Sequence, residues 1–266
     1  MAEISAKLVK ELRDQTGAGM MECKKALVET NGDLEAAKRL LREKGMAAAG
    51  KRAGRETTEG LVGYRVADDA SRGTLVAVGC ETEPVSKNDE FQAFARKVLE
   101  TVESDGVGSE SSLDDERQQL SGKLGENIVV VDAAQFKAGD DEFVTGYAHP
   151  PANKLGVLVL MRGGDDELGR KIAMHIAALS PQWVTRDVVP QDVVDEERST
   201  FAASDEVQAK PEPAREKIVD GMLNKRFFQA NVLVDQEWVH DSSKTVAQAL
   251  QEAGAEVVDF ARLSVS

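Results

Sequence analysis

The side chains able to carry chemistry are few and scattered. Three histidines, His149, His175 and His240, stand far apart, with no HExxH pattern and no carboxylate at ligand spacing, so no metal site is assigned. Two cysteines, Cys23 and Cys80, are too few for a disulfide framework or a zinc site and read as buried or idle thiols. The chain has no Gly-rich phosphate loop, no GxSxG serine and no Cys-His motif, and no carboxylate pair separates itself from the 47 Asp and Glu residues. Gly17 and Gly19 have no strand before them, so they mark a helix-entry turn rather than a dinucleotide fingerprint. This pattern favours a binding or regulatory protein over an enzyme, and no cofactor is expected.

The stretch best arranged to present something is GTLVAVGCETEPVSKNDEFQAFARKV, Gly73 to Val98. Leu75, Val76, Ala77 and Val78 form a short apolar run with glycine at both ends, which predicts a buried strand. Phe91, Phe94, Ala95 and Val98 recur at helical spacing. Between them Thr82, Glu83, Pro84, Val85 and Ser86 make a stiff connection, in which Pro84 is expected to push Glu83 away from helical geometry. Such a loop is a frequent place for function, although most strand-to-helix loops only connect.

The elements around it follow in order. Ser5 is an N-cap with Ile4 placed to staple onto Val9, and Leu8, Val9 and Leu12 give the inner face of a first helix. A second helix is predicted from Met20 to Glu29, and a third is capped by Asp33, faces inward with Leu34, Ala37, Leu40 and Leu41, and ends at Gly45. Met20 and Met21 are adjacent on their helix, so at least one is expected at the surface as adaptable contact material; the alternative is that both are partly buried in so small a bundle. Residues 46–58, rich in Ala, Gly, Lys and Arg, read as a linker with room for some helix.

The body contains an internal repeat. Shifting residue numbers by 83 superposes Glu59 on Glu142, Gly63 on Gly146, Tyr64 on Tyr147, Gly73 on Gly156, Leu75 on Leu158 and Val76 on Val159. The fold class is therefore α+β: two related halves, 59–140 and 141–266, each an antiparallel sheet with helices on one face, meeting near KAGDD at 137–141. The second copy's loop, RGGDDELG, has no proline and no apolar tip. Pro-punctuated helical arms at about 187–227 predict a helical hairpin inserted in the second half. Thr245 to Gln251 then forms a last helix, and Val257 to Val265 a last strand.

A chain of 266 residues with 41% hydrophobic residues has no apolar run long enough to cross a bilayer, and MAEISAKLVKEL shows no leader-like apolar region, so a cytoplasmic location is expected. The formal charge of −14 is uneven: residues 1–55 carry 12 Lys and Arg against 8 Asp and Glu, which leaves 21 against 39 for the rest. An acidic body repels phosphate backbones, so neither nucleic acid nor membrane is expected as a partner.

The sequence LRDQTGAGMMECKKALVETNGDLEAAKRLLREKG closely resembles the N-terminal module of the bacterial elongation factor Ts family. CETEPVSKNDEF resembles that family's Cys-Glu-Thr-Asp-Phe-Val-Ala-Lys-Asn segment, and LGENIVVVDA, KIAMHIAALSP and KIVDGMLNKRF resemble three further segments, so the likeness spans nearly the whole chain. It implies a guanine-nucleotide exchange factor for elongation factor Tu, GDP-bound or nucleotide-free, built from a ubiquitin-associated-like bundle at 1–45, a linker and a duplicated core. It implies that Arg13, Met20, Met21 and Lys24 dock on the partner's GTPase domain. Thr82, Glu83, Pro84 and Val85 would reach the partner's magnesium and phosphate site, and His149 would be a further contact from the second half. Glu83-Pro84 stands where the family has Asp-Phe, so Pro84 and Val85 are expected to form a smaller, stiffer apolar tip, or Pro84 merely shapes the turn. Longer members carry a further C-terminal helix, which is expected to be lacking after the last strand here. Two rivals stand beside this reading: a non-exchange scaffold or chaperone-like adaptor using the bundle, and an enzyme with an acidic site between the core halves.

Overall fold

Three local signals start the chain. In the protein, a computed structural model that describes residues 4–265, Ser5 caps helix α1 (Ala6–Thr16) by accepting from the Leu8 amide, and Ile4 packs on the small core of Val9, Leu12, Cys23, Ala26, Leu27 and Ala37. Met1 to Glu3, where the segment expected to lack a leader-like apolar region begins, and Ser266 lie outside the described residues. Helix α2 spans Met20–Glu29, and Asp33 caps α3 (Leu34–Arg52) through the Ala36 amide.

Gly45 does not end α3, which runs on into the segment expected to be a linker. The reason is tertiary. Helix α3 crosses α6 (Asp114–Leu124) at two glycines, where a Cβ added to Gly122 would stand 2.9 Å from the Gly45 Cα. The glycine that reads locally as a stop is instead the point where two backbones meet.

The core holds two three-stranded antiparallel sheets of the same plan, as expected of an α+β duplication. Strands β1 (Glu59–Val66), β2 (Arg72–Cys80) and β3 (Ile128–Lys137) form one, with β2 central. Strands β4 (Glu142–Ala148), β5 (Leu155–Arg162) and β6 (Glu256–Ser264) form the other, with β5 central. Strand alternation assigns the faces. Val76, Val78 and Cys80 pack against α5 (Asp89–Asp105), while Leu75 and Ala77 face the second sheet. Val157, Val159 and Met161 likewise pack against α7 (Asp166–Leu179), while Leu158 and Leu160 face the first sheet.

The two sheets touch through a reciprocal glycine exchange. A Cβ on Gly156 would lie 2.6 Å from Val62 and 2.9 Å from Leu75, and one on Gly73 would lie 2.6 Å from Val144 and 2.8 Å from Leu158. The duplication also extends to the third strand, which sequence comparison at one fixed offset misses. Val130-Val131-Asp132 and Val257-Val258-Asp259 occupy equivalent places, and in each strand a bulge leaves the middle valine outside the pairing register. In each, the aspartate then accepts the next residue's amide at 2.8 Å. The inserted hairpin changes the spacing from 83 to 127 residues, so the third strands fall out of register.

That insertion consists of α8 (Gln191–Ala203), α9 (Asp205–Gln208), α10 (Glu212–Met222), a π-helical run Leu223–Phe228 and α11 (Gln229–Asn231). Its first arm breaks at Ser204, whose backbone is extended, and the hairpin holds its own core around Val207, Val219, Leu223, Phe227 and Val232. Helix α12 (Val246–Glu252) opens with a capping box between Thr245 and Gln248.

His175 joins this region to α7. It is fully buried, stacks on Trp238 at 5.2 Å, accepts the Val239 amide at Nδ1 and meets the Gln236 side-chain oxygen through Nε2 at 2.9 Å. Burial holds the imidazole below its ordinary value of 6.5, because charging it would cost solvation that Gln236 offsets only in part. The unfolded chain therefore takes up a proton that the folded chain refuses, and stability falls as pH drops below about 6.5. Urea midpoints at pH 7.5 and 5.5 should show a smaller drop for His175→Gln than for the parent; equal drops would contradict this.

Candidate partner-docking surfaces

The first surface begins at the α1–α2 turn. Gly17 ends α1 in the left-handed region at φ 66° and donates its amide to the Arg13 carbonyl at 2.7 Å, while the Thr16 hydroxyl returns to Leu12 O. The turn delivers Met20 and Met21 as the first two residues of α2, and both are exposed, at 48% and 63%. The bundle core is filled by Cys23, Ala26 and Leu27 from the opposite side of that helix. Val28, two turns after Met21, is 50% exposed on the same face, with Lys24 between them. Arg13 and Lys24 are exposed too, and neither takes part in an ion pair among the described residues. Sequence reasoning found the methionines but passed over Val28, whose only signal is an apolar residue off the helix's inner face.

The second surface is the end of β2. Here Glu83 is not pushed out of helical geometry: Glu83–Ser86 forms a one-turn helix, α4, with Thr82 as N-cap and Pro84 in the first turn. First-turn amides need no intrahelical acceptor, so proline is accommodated there. Thr82, Glu83 and Pro84 are exposed, whereas Val85 is half-buried against the first half's core, so Val85 anchors the turn and Pro84 is its apolar tip. Lys87 pairs with Glu83 at 2.7 Å, and this hydrogen bond holds the Glu83 carboxyl below the usual carboxylate range. Cys80 lies behind the tip; burial, with the Glu126 carboxylate adding, pushes its thiol up to about 12, so it remains protonated and unreactive.

His149 follows β4 and is exposed, with Nδ1 2.8 Å from the Tyr147 hydroxyl. Its loop crosses to the first half, where the Asn153 carbonyl accepts the Val62 amide at 2.6 Å and Lys154 pairs with Glu59 at 2.5 Å. Between the halves lies an open cavity of about 590 Å³ lined by Asp68, Asp165, Asp166 and Arg170. Asp165 caps α7 and Asp166 accepts from Thr145, so two of its three carboxylates hold structure. Among the described residues no group of three His, Cys, Asp or Glu could hold a metal ion, and no helix is long and apolar enough to cross a membrane.

The protein is thus of the α+β class, a duplicated core joined to a small helical bundle, with Met20, Met21 and the Thr82-Glu83-Pro84 turn exposed. The family model for elongation factor TS matches residues 81–266. The elongation factor Ts of Saccharopolyspora erythraea is 44% identical over 100% of this chain and 99% of its own. That of Thioalkalivibrio sulfidiphilus is 43% identical over 98% and 92%, and that of Teredinibacter turnerae 42% over 98% and 90%. The chain belongs to the elongation factor Ts family, the elongation factors of protein biosynthesis.

Proposed function

We propose that the protein is a guanine-nucleotide exchange factor for elongation factor Tu, acting in the cytoplasm without making or breaking a covalent bond. The observation that carries this reading is the exposed Thr82-Glu83-Pro84 turn, mounted without slack on the end of a buried strand in a member of this family. Arg13, Met20, Met21 and Lys24 dock the bundle on the partner's GTPase domain, and Val28 extends that contact. Methionine suits it because an unbranched, polarizable side chain adapts to a partner's surface. The tip then enters the magnesium and phosphate site, and His149 touches a second domain.

The energetics follow from linkage. A factor that binds the nucleotide-free partner better than the loaded one must weaken nucleotide binding by the same factor. Displacing Mg²⁺ removes the ion that offsets the phosphate charge, so a small intrusion has a large effect on release. Pro84 presents less apolar area than the aromatic residue usual in the family, but its ring fixes φ and the turn loses little entropy on contact. Glu83 brings a carboxylate whose charge is masked by Lys87 until the partner competes for one of them. A Glu83→Ala/Pro84→Ala variant should still bind elongation factor Tu yet accelerate release of fluorescent GDP at least tenfold less; an unchanged rate would remove the tip from the mechanism.

A further inference from the structure

A four-residue helix cannot hold its own direction. With one turn of hydrogen bonds it lies far below the length at which helices are self-sustaining, and Thr82 makes no side-chain cap of its own to α4. The direction of the tip must therefore be imposed from outside. Val85 anchors the far side of the turn in the core and the Cys80 thiol donates to the Thr82 carbonyl at 3.4 Å, while the side chain that accepts the donors on the entry side is Glu126, in the turn between α6 and β3. Its Oε2 accepts the Glu81 amide at 3.1 Å and the Thr82 amide at 3.0 Å, and its Oε1 accepts the Thr82 hydroxyl at 2.5 Å.

The support is laced in the other direction as well. Glu81 Oε1 accepts the Asn127 amide at 2.6 Å, and the buried Asn127 side chain donates to the Arg55 carbonyl at 2.8 Å. The buried Ser121 hydroxyl donates to the Glu126 carbonyl at 2.5 Å, which ties Glu126 back to α6. Helix α6 is the one that meets α3 at Gly45 and Gly122, so the frame holding the tip is in backbone contact with the docking bundle. The Thr82 hydroxyl, although its residue is exposed, is already committed to Glu126.

We infer that Glu126 is the positioning residue of the exchange tip: it acts through Thr82, touches no partner, and fixes the angle at which Glu83 and Pro84 enter the partner's site. This rests on the exchange reading above. It also reassigns Thr82 from contact to support. A carboxylate suits the position because its Oε2 takes two backbone amides at once and its charge strengthens all three bonds; a glutamine would have to turn its amide nitrogen to the Thr82 hydroxyl, reversing that bond, and would lose the charge assistance throughout.

The test is stopped-flow release of fluorescent GDP from elongation factor Tu over a concentration series, which separates the maximal rate from half-saturation, for the parent, Glu126→Gln and Thr82→Val. The maximal rate should fall roughly tenfold in Glu126→Gln, as expected for losing charge-assisted hydrogen bonds that hold a reacting geometry, with half-saturation changed less than about threefold. Thr82→Val should move the same quantity, and the double variant should be no worse than Glu126→Gln alone. A merely structural role would lower the melting temperature while leaving the saturated rate intact, and that result overturns the inference, as does a loss confined to half-saturation. Should Glu126→Gln fail to fold, Thr82→Val decides by the same criteria. If the parent itself does not accelerate release, the exchange reading fails first; if the parent accelerates and both variants match it at saturation, only the role of Glu126 falls.

Discussion

Gly156→Val is expected to be among the most damaging single substitutions in the core, lowering stability by about 3 kcal/mol or more through overpacking. A Cβ there would stand 2.6 Å from a Val62 methyl and 2.9 Å from a Leu75 methyl. Val62 and Leu75 are buried and lie on the first sheet, in the layer between the two sheets. The β-branched Val62 has one favoured rotamer and cannot turn its methyl away cheaply, so the sheets must separate. Separation would weaken burial of the whole inter-sheet layer. The repeat makes a second forecast: Gly73→Val meets Val144 and Leu158 at 2.6 and 2.8 Å and should cost a comparable amount. Thermal and urea unfolding of both variants checks this. Val62→Ala should partly rescue Gly156→Val and leave Gly73→Val unrescued, because neighbours couple and distant sites add. A Gly156→Val protein melting with the parent would mean that the halves do not pack as described.

The second large effect is on binding. Met20→Asp/Met21→Asp should weaken the affinity for elongation factor Tu by about 100-fold, the range of hot-spot losses, because two charges would have to be desolvated in an apolar contact. Stability should hardly change, since both side chains are exposed and the bundle core lies on the other side of α2. The two readouts separate docking from folding. The variant should also recover the parent's maximal exchange rate once its concentration is raised enough to saturate, because the tip is untouched. Unchanged affinity in titration calorimetry would take the bundle out of the interface.

How much of this was readable from the sequence depends on whether the cause was local. Ser5, Asp33 and Thr245 act on amides within a turn of themselves, so their helices begin where the residues say. The apolar run at Leu75 to Val78 and the helical spacing from Phe91 to Val98 each reflect burial of one element, and both are where they were expected. Gly45 failed as a stop signal because its reason lies in Gly122, on another helix. Pro84 misled in a subtler way: its effect on the preceding residue is a preference, which the first turn of α4 overrides. Glu126 could not be picked out from the 47 acidic residues, since what distinguishes it is three donors brought to it across 44 and 45 positions of chain. The third-strand repeat was hidden by the hairpin that separates its copies.

The measurement that bears most directly on the whole account is the rate at which elongation factor Tu releases fluorescent GDP in the presence of Mg²⁺, with and without saturating amounts of this protein. Acceleration by at least tenfold is expected, with the protein also binding the nucleotide-free partner more tightly than the GDP-loaded one by the factor by which it lowers the partner's affinity for GDP. Tight binding that leaves the release rate at its intrinsic value would contradict it and would make the protein an adaptor that uses its bundle to hold a partner.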